Sequence, residues 1–195
     1  MSARKLACVS ILALSLACSG AFAQTLYTQS GQTSVALRST FLGALQSLGV
    51  TPGVLNPTTI SSKGVVTFPI TGGAIDAKTA SGQITHSGGL TLTAGKTQVS
   101  IENFIIDTTG SSPVINGIAA VNGSVAGSLT LFNLELPKLK LPLKPVDGIF
   151  VNLAGVSVTL SDAAAATLNK VFGVTAFQGG LNVGTATVQV IVVPN

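Results

Sequence analysis

Hydrophobic and polar positions alternate along most of this chain, and Gly, Asn and Pro interrupt the alternation at short intervals. Near the C-terminus, Val188, Val190 and Val192 face one side of a strand, and Thr187 and Gln189 face the other. A period of two with β-branched residues is typical of strands that bury at least one face. The predicted strands are Val65–Ile70, Gly82–Ser87, Leu90–Thr93, Gln98–Asp107, Val114–Val121, Val125–Leu136, Ile149–Leu153, Val156–Leu160 and Thr185–Val193.

Two segments show the three- and four-residue spacing of an amphipathic helix. The first, Val35–Leu48, follows a serine in the N-cap position and precedes a glycine that ends it. The second begins at Ser161 or Asp162, contains four consecutive alanines and ends at Phe172 before another glycine. About nine strands and two short helices predict a mainly β protein, an antiparallel sandwich or a partly closed barrel.

The first 23 residues have the order of a secretory signal peptide. Two basic residues precede an apolar run over residues 6–17, and Ala21-Phe22-Ala23 supplies the small residues of a cleavage site. We expect cleavage after Ala23, which leaves residues 24–195 as a single β-rich domain that is secreted or held at the cell surface or in the periplasm. Attachment of a lipid at Cys18 is an alternative. No later stretch is a better candidate for a membrane-spanning helix.

Composition narrows the chemistry of the mature domain. Both cysteines, Cys8 and Cys18, lie in the leader, so the domain has no disulfide to form. Removing Arg4 and Lys5 from the ten basic residues leaves eight against six acids, a net charge of +2. This small charge does not indicate nucleic-acid binding, and the neutral polar surface suits an extracellular setting. A domain so poor in reactive side chains is expected to hold a partner, either a small-molecule ligand or a cell-envelope component. The oligomeric state stays open.

Residues 24–195 contain one His and one Tyr, and no Cys, Trp or Met. Zinc normally takes three or four Cys, His or carboxylate ligands, which this inventory does not readily supply. A Ser-His-Asp set around His86 with Asp76 or Asp107 has no Gly-x-Ser-x-Gly turn beside it. The six acids could also supply a carboxylate pair for glycoside hydrolysis, but six acids nearly always include two that lie close together, so this is not a specific signal. We therefore predict that the protein is not an enzyme.

Three features remain as candidates for binding. His86 lies on or beside a turn between two glycine pairs, and it either presents its imidazole to a ligand or is a polar residue satisfied by the backbone. Tyr27 lies close to the mature N-terminus, where a frayed or surface position is the ordinary explanation. The segment Pro137–Pro145 alternates lysines with apolar residues between prolines, which suits either contact with an anionic lipid or wall polymer or protection of a sheet edge.

The stretch Val66–Gly73, the following Asp76, and Gly82–Leu90 resemble the Htaa domain of bacterial surface haem-uptake proteins. In that family a strand ending in Phe-Pro leads to an Asp-bearing turn, and a later strand ends in a turn like His86-Ser87-Gly88-Gly89-Leu90. The helix Val35–Leu48 corresponds to the first helix of the family. The segment Leu160–Gly184 is similar to its C-terminal portion, so the resemblance spans most of the mature chain.

The resemblance implies a secreted domain that binds haem through a tyrosine on or near the first helix, with a histidine hydrogen-bonded to that ligand. His86 falls at the position of the histidine, but the helix position that should carry the tyrosine is near Ala44, which has no atom able to coordinate iron. Haem is thus the implied cofactor, with His86 as the candidate metal ligand and Tyr27 as a second ligand-binding candidate. The alternative is a structural or adhesive envelope protein that kept the scaffold without the cofactor.

Overall fold

The computed structural model describes residues 24–194, so the predicted signal peptide of residues 1–23 lies outside the described residues. The described chain folds into eleven strands and two helices. In chain order they are β1 (Thr25–Leu37), α1 (Ser39–Ser47), β2 (Thr51–Leu55), β3 (Thr59–Ile60), β4 (Val65–Asp76), β5 (Gly82–His86), β6 (Gly89–Ala94), β7 (Thr97–Asp107), β8 (Val114–Val121), β9 (Ser124–Glu135), β10 (Phe150–Leu160), α2 (Asp162–Phe172) and β11 (Asn182–Pro194).

Eight of the strands form a closed antiparallel barrel. Neighbours pair in the order β7, β5, β4, β1, β11, β10, β9 and β8, and β8 pairs back onto β7. The three others lie outside the ring, with β6 on β7, β2 on β6 and β3 on β4. Closure gives the ring no free edge. The predicted mainly β fold with two short helices is confirmed, and its barrel is fully closed.

The second helix begins and ends where its sequence predicts. The hydroxyl oxygen of Ser161 accepts a hydrogen bond from the backbone N–H of Ala164 at 3.0 Å, which satisfies one of the unpaired donors of the first turn. Gly173 ends the helix in the left-handed region with a φ of 67°. Only glycine adopts this conformation without a steric penalty, so Gly173 by itself predicts where the helix ends.

The start of the first helix was predicted wrongly, because residues 35–37 belong to β1. Val35 pairs with Val66 of β4 on one side and with Ala186 of β11 on the other. Two neighbouring strands satisfy the backbone groups of this segment, and this pairing outweighs its weak helical periodicity. The helix α1 therefore begins only at Ser39, after an Arg38 N-cap with no side-chain capping bond.

The predicted strands differ from the observed ones in three further ways, the first being that β4 continues through Gly72 and Gly73 to Asp76, six residues beyond the predicted end at Ile70. The predicted strands Ile149–Leu153 and Val156–Leu160 merge into the single strand β10, which begins at Phe150 and bulges at Gly155, where φ is 82°. The predictions did not include β1, β2 and β3. These strands contain fewer alternating apolar positions or carry Pro52 and Gly53, and their pairing partners are remote in sequence.

The two ends of the barrel are closed by different structures. At one end, which we call the helix end, buried side chains of the two helices, including Phe41, Leu45, Ala164 and Leu168, pack against the strands. At the other end, residues 136–149 connect β9 to β10, and we call this connection the strap. None of the helices within residues 24–194 is long and apolar enough to cross a bilayer.

Candidate functional site

His86 is the last residue of β5 and points into the middle of the barrel, where only 5% of its surface is exposed. Its Nδ1 lies 3.3 Å from the carbonyl oxygen of Phe104, and its Nε2 lies 2.7 Å from the hydroxyl oxygen of Thr33. A carbonyl can only accept, so Nδ1 carries the proton and donates to Phe104. The hydroxyl of Thr33 then donates to Nε2, and both ring nitrogens are occupied.

Burial keeps this imidazole neutral. Loss of hydration lowers the pKa of His86 from 6.5 to about 4, although its hydrogen bond to the Phe104 carbonyl opposes the shift. The surroundings are apolar, with the rings of Phe68 and Phe104 in an edge-to-face contact at 5.1 Å. His86 is thus a neutral, fully hydrogen-bonded residue of the barrel core.

Tyr27 lies on the outer surface of the barrel, away from His86. It belongs to β1, where it pairs with Ala74 and Val193, and 44% of its surface is exposed. Thr33, the partner of His86, is six residues further along the same strand, or roughly 20 Å at about 3.3 Å per residue. The structure therefore does not bring the two candidate ligands together, and it places Tyr27 in a paired strand.

Asp76 and Asp107 do not contact His86. Asp76 accepts hydrogen bonds from the backbone of Thr79 and Lys78, and chiefly the Thr79 bond lowers the pKa of its carboxyl group. Asp107 accepts from Thr109, chiefly from its hydroxyl, which lowers the pKa of Asp107. Both carboxylates hold turns in place. Among residues 24–194, no three His, Cys, Asp or Glu side chains come close enough to hold a metal ion.

A cavity of about 510 Å³ lies inside the strap end of the barrel. It is the size of ordinary small-molecule sites. Its walls are almost entirely aliphatic, and they include Ile75, Ile84, Ile106, Ile115, Leu134, Val151, Leu153, Val156, Ala186, Val188 and Val190. Its inner limit is Thr33, whose hydroxyl faces His86, and a second, much smaller apolar cavity of about 50 Å³ lies beside this pair.

The strap crosses the mouth of this cavity. It leaves the barrel at β9, and the backbone N–H of Leu143 donates to the carbonyl oxygen of Ala77, just beyond β4, at 2.6 Å. The strands β9 and β4 are four places apart in a ring of eight, so the strap spans the opening from one side to the other. It then returns to β10. Leu139 and Leu143 are half-buried over the cavity, and both line it.

Three lysines stand at the mouth. Lys138, Lys140 and Lys144 are exposed, alternate with the apolar strap residues and belong to the lining of the cavity. None of the described lining residues is acidic, and none is His, Cys, Met or Tyr. We call this site the lysine-rimmed cavity. It combines an apolar interior with a positively charged entrance, and it offers no side chain that readily coordinates iron.

Sequence reasoning found the lysines of this site but not the cavity. The alternation over Pro137–Pro145 was the available signal, and its prolines predicted the extended connection that the strap forms. The wall residues are the inward positions of strands distant in sequence. Their pattern predicts burial without saying whether the buried space is filled.

No family model and no curated protein matches this chain. Among solved structures, the C-terminal domain of HtaA from Corynebacterium glutamicum matches with a TM-score of 0.65 at 16% identity, over 86% of this chain and 99% of that domain. The haem-binding protein HtaB from the same bacterium matches with a TM-score of 0.58 at 12% identity, over 88% of this chain and 97% of HtaB. The N-terminal domain of HtaA matches with a TM-score of 0.61 at 11% identity, over 84% of this chain and 97% of that domain. This chain has the Htaa-like fold.

Proposed function

We propose that this protein is an exported, non-enzymatic binding domain that holds a small molecule with a large apolar body in the lysine-rimmed cavity. The observation that carries the proposal is the cavity itself, about 510 Å³ of space behind aliphatic walls. Eight-stranded barrels have just enough interior to hold one small ligand in place of core side chains. A structural or adhesive protein without a ligand gains nothing from leaving this space unfilled, since empty apolar volume costs stability.

Export is part of the proposal and rests on residues 1–23. Mass spectrometry of the protein recovered outside the cytoplasm should give the mass of a chain that starts at Gln24. A chain that keeps its leader and stays in the cytoplasm would contradict export.

Haem is the first ligand to test, because HtaB, which shares the fold, is a haem-binding protein. When bound to a protein, haem supplies a redox-active iron in an apolar macrocycle that carries two carboxylates. The strap lysines suit the two carboxylates, whereas the aliphatic walls offer the macrocycle apolar contact without an aromatic face on which it could stack, apart from Phe150. The iron has no matching ligand among the residues that line the cavity. His86 uses both ring nitrogens in the core, and Tyr27 lies outside the barrel.

Titrations with two probes test the proposal. Hemin is followed by its Soret band, and anilinonaphthalene sulfonate, an anionic apolar dye, is followed by its fluorescence. We expect saturable binding of the dye to the wild-type protein, and hemin binding if haem is the ligand. The variant His86→Gln should bind both probes as well as the wild type does, because the cavity offers them no imidazole. Loss of hemin binding in His86→Gln would contradict this arrangement.

A matched pair of variants tests whether the probes bind inside the barrel. Ala186 on β11 is buried and lines the cavity, whereas Thr187 next to it points to the opposite face of the strand. Ala186→Phe fills part of the cavity and should weaken probe binding at least tenfold, while Thr187→Phe should change it less than twofold. Equal effects of the two variants, or no binding of either probe to the wild type, would overturn the proposal.

A further inference from the structure

The polar groups of the lysine-rimmed cavity are unevenly distributed. Charged groups stand only at its mouth, where Lys138, Lys140 and Lys144 are exposed. The inner limit is formed by Thr33 with Ile106 and Ile115, and the hydroxyl hydrogen of Thr33 is already donated to His86. A ligand that reaches the inner limit therefore meets apolar groups and no free donor. A molecule that is apolar along its length and charged at one end matches this distribution.

The sign of the charge follows from the residues at the mouth. The acids nearest in sequence, Glu135 and Asp147, are exposed and do not belong to the lining, so the lysines are the only charged groups that face the cavity among the described residues. Glu135 lies between Leu134 and Leu136, which both line the cavity, and its side chain points outward. Ammonium groups beside an apolar opening pair with an anionic head group.

The shape of the walls favours a flexible chain. Apart from Phe150, the apolar lining is built from aliphatic side chains and Pro137, without the aromatic faces on which a flat ring system stacks. The interior of an eight-stranded barrel is narrow and elongated along the barrel axis. Three apolar residues of the strap, Leu141, Val146 and Ile149, are exposed, and Val146 also lines the cavity, so an entering aliphatic chain meets an apolar group there.

We propose that the lysine-rimmed cavity binds a long-chain aliphatic carboxylate, with the carboxylate on the strap lysines and the hydrocarbon tail directed toward Thr33. The inference rests on the proposed function, because it assumes that the cavity is a binding site, and it names the class of ligand. It requires no metal and no coordination by His86. The inner end of the tail lies against the methyl group of Thr33 and the side chains of Ile106 and Ile115.

A chain-length series tests the tail. Saturated carboxylates from octanoate to stearate compete with the bound dye, and palmitate is the reference ligand. Affinity should rise about fourfold for each added methylene until the cavity is full and then level off. Dye binding without displacement by any of these carboxylates would overturn this inference and leave the proposed function standing. Absence of binding by the dye, hemin and the carboxylates alike would overturn both.

Matched ligands and matched variants test the head group. Palmitate should bind at least tenfold more tightly than hexadecanol, which has the same chain length without the charge. The triple variant Lys138→Gln, Lys140→Gln, Lys144→Gln should lose about tenfold in palmitate affinity and change little for hexadecanol. The control variant Lys63→Gln, Lys96→Gln, Lys170→Gln removes the same charge from residues outside the lining and should leave palmitate binding within twofold of the wild type.

Three results would contradict the assignment of the head group. They are equal binding of palmitate and hexadecanol, no effect of the strap lysines, and an equal effect of the two triple variants. Ala186→Phe distinguishes the cavity from the outer surface, because it should weaken palmitate binding at least tenfold while Thr187→Phe should not.

Discussion

The two ends of the barrel are lined by the same kinds of side chain but are packed to different degrees. At the helix end, Leu45, Leu160 and Leu168 are buried against the strands and the two helices. At the strap end, Leu153 and its neighbours face a cavity of about 510 Å³ under a loop without regular secondary structure. The Thr33–His86 pair marks the boundary. We therefore expect packing at the helix end to contribute more to stability than packing at the strap end.

The strongest test of this comparison uses two leucines of the same strand, β10. Leu160→Ala should reduce the free energy of unfolding by about 3 kcal/mol, because Leu160 is buried and its truncation leaves additional empty space in the core. Leu153→Ala should cost about 1 kcal/mol, because its side chain already borders open space. Denaturant unfolding of both variants measures the difference. Equal costs would show that the strap end is packed in solution as tightly as the helix end.

The free energy of unfolding should depend on pH through His86, which lies at the boundary between the two ends. The pKa of His86 is 6.5 in the unfolded chain and about 4 in the barrel, so the unfolded state binds more protons between these values. The contribution of the neutral imidazole is fully present above pH 6.5 and is lost as the pH falls toward 4. The free energy of unfolding should fall by roughly 2 kcal/mol between pH 7 and pH 4.5.

His86→Gln should lack this dependence on pH, although its stability at pH 7 is lower. Above pH 4.5 the wild type and the variant share the remaining titrating groups, so the difference between their slopes isolates the imidazole. A variant that keeps the slope of the wild type would show that His86 is accessible to protons in the folded state, which would contradict its place in the core.

The smallest effect is expected at the strap. The triple variant Lys138→Gln, Lys140→Gln, Lys144→Gln should change the free energy of unfolding by less than about 0.5 kcal/mol, because exposed side chains away from packed contacts rarely matter for stability. Thermal and denaturant unfolding check this. A loss above about 1 kcal/mol would mean that the lysines hold the strap in place, and their effect on ligand binding would then be indirect.

The sequence was most informative where structure depends on neighbouring residues. The period-two pattern predicted the strand Val114–Val121 with its observed bounds, and Ser161 and Gly173 predicted both ends of α2, since caps act within one turn. It failed over Val35–Leu37, where spacing suggested a helix and pairing with β4 and β11 made a strand. It also missed β2 and β3, which exist only because remote strands pair with them.

The sequence by itself determined a mainly β fold, the scarcity of reactive side chains and the lysine-bearing connection between β9 and β10. Only the tertiary structure decided that the barrel closes, that His86 lies inside it with both nitrogens occupied, and that Tyr27 lies outside. The cavity also belongs to the tertiary structure. A period-two pattern specifies which face of each strand is buried, but the space enclosed depends on how eight such faces and one strap meet around a common axis.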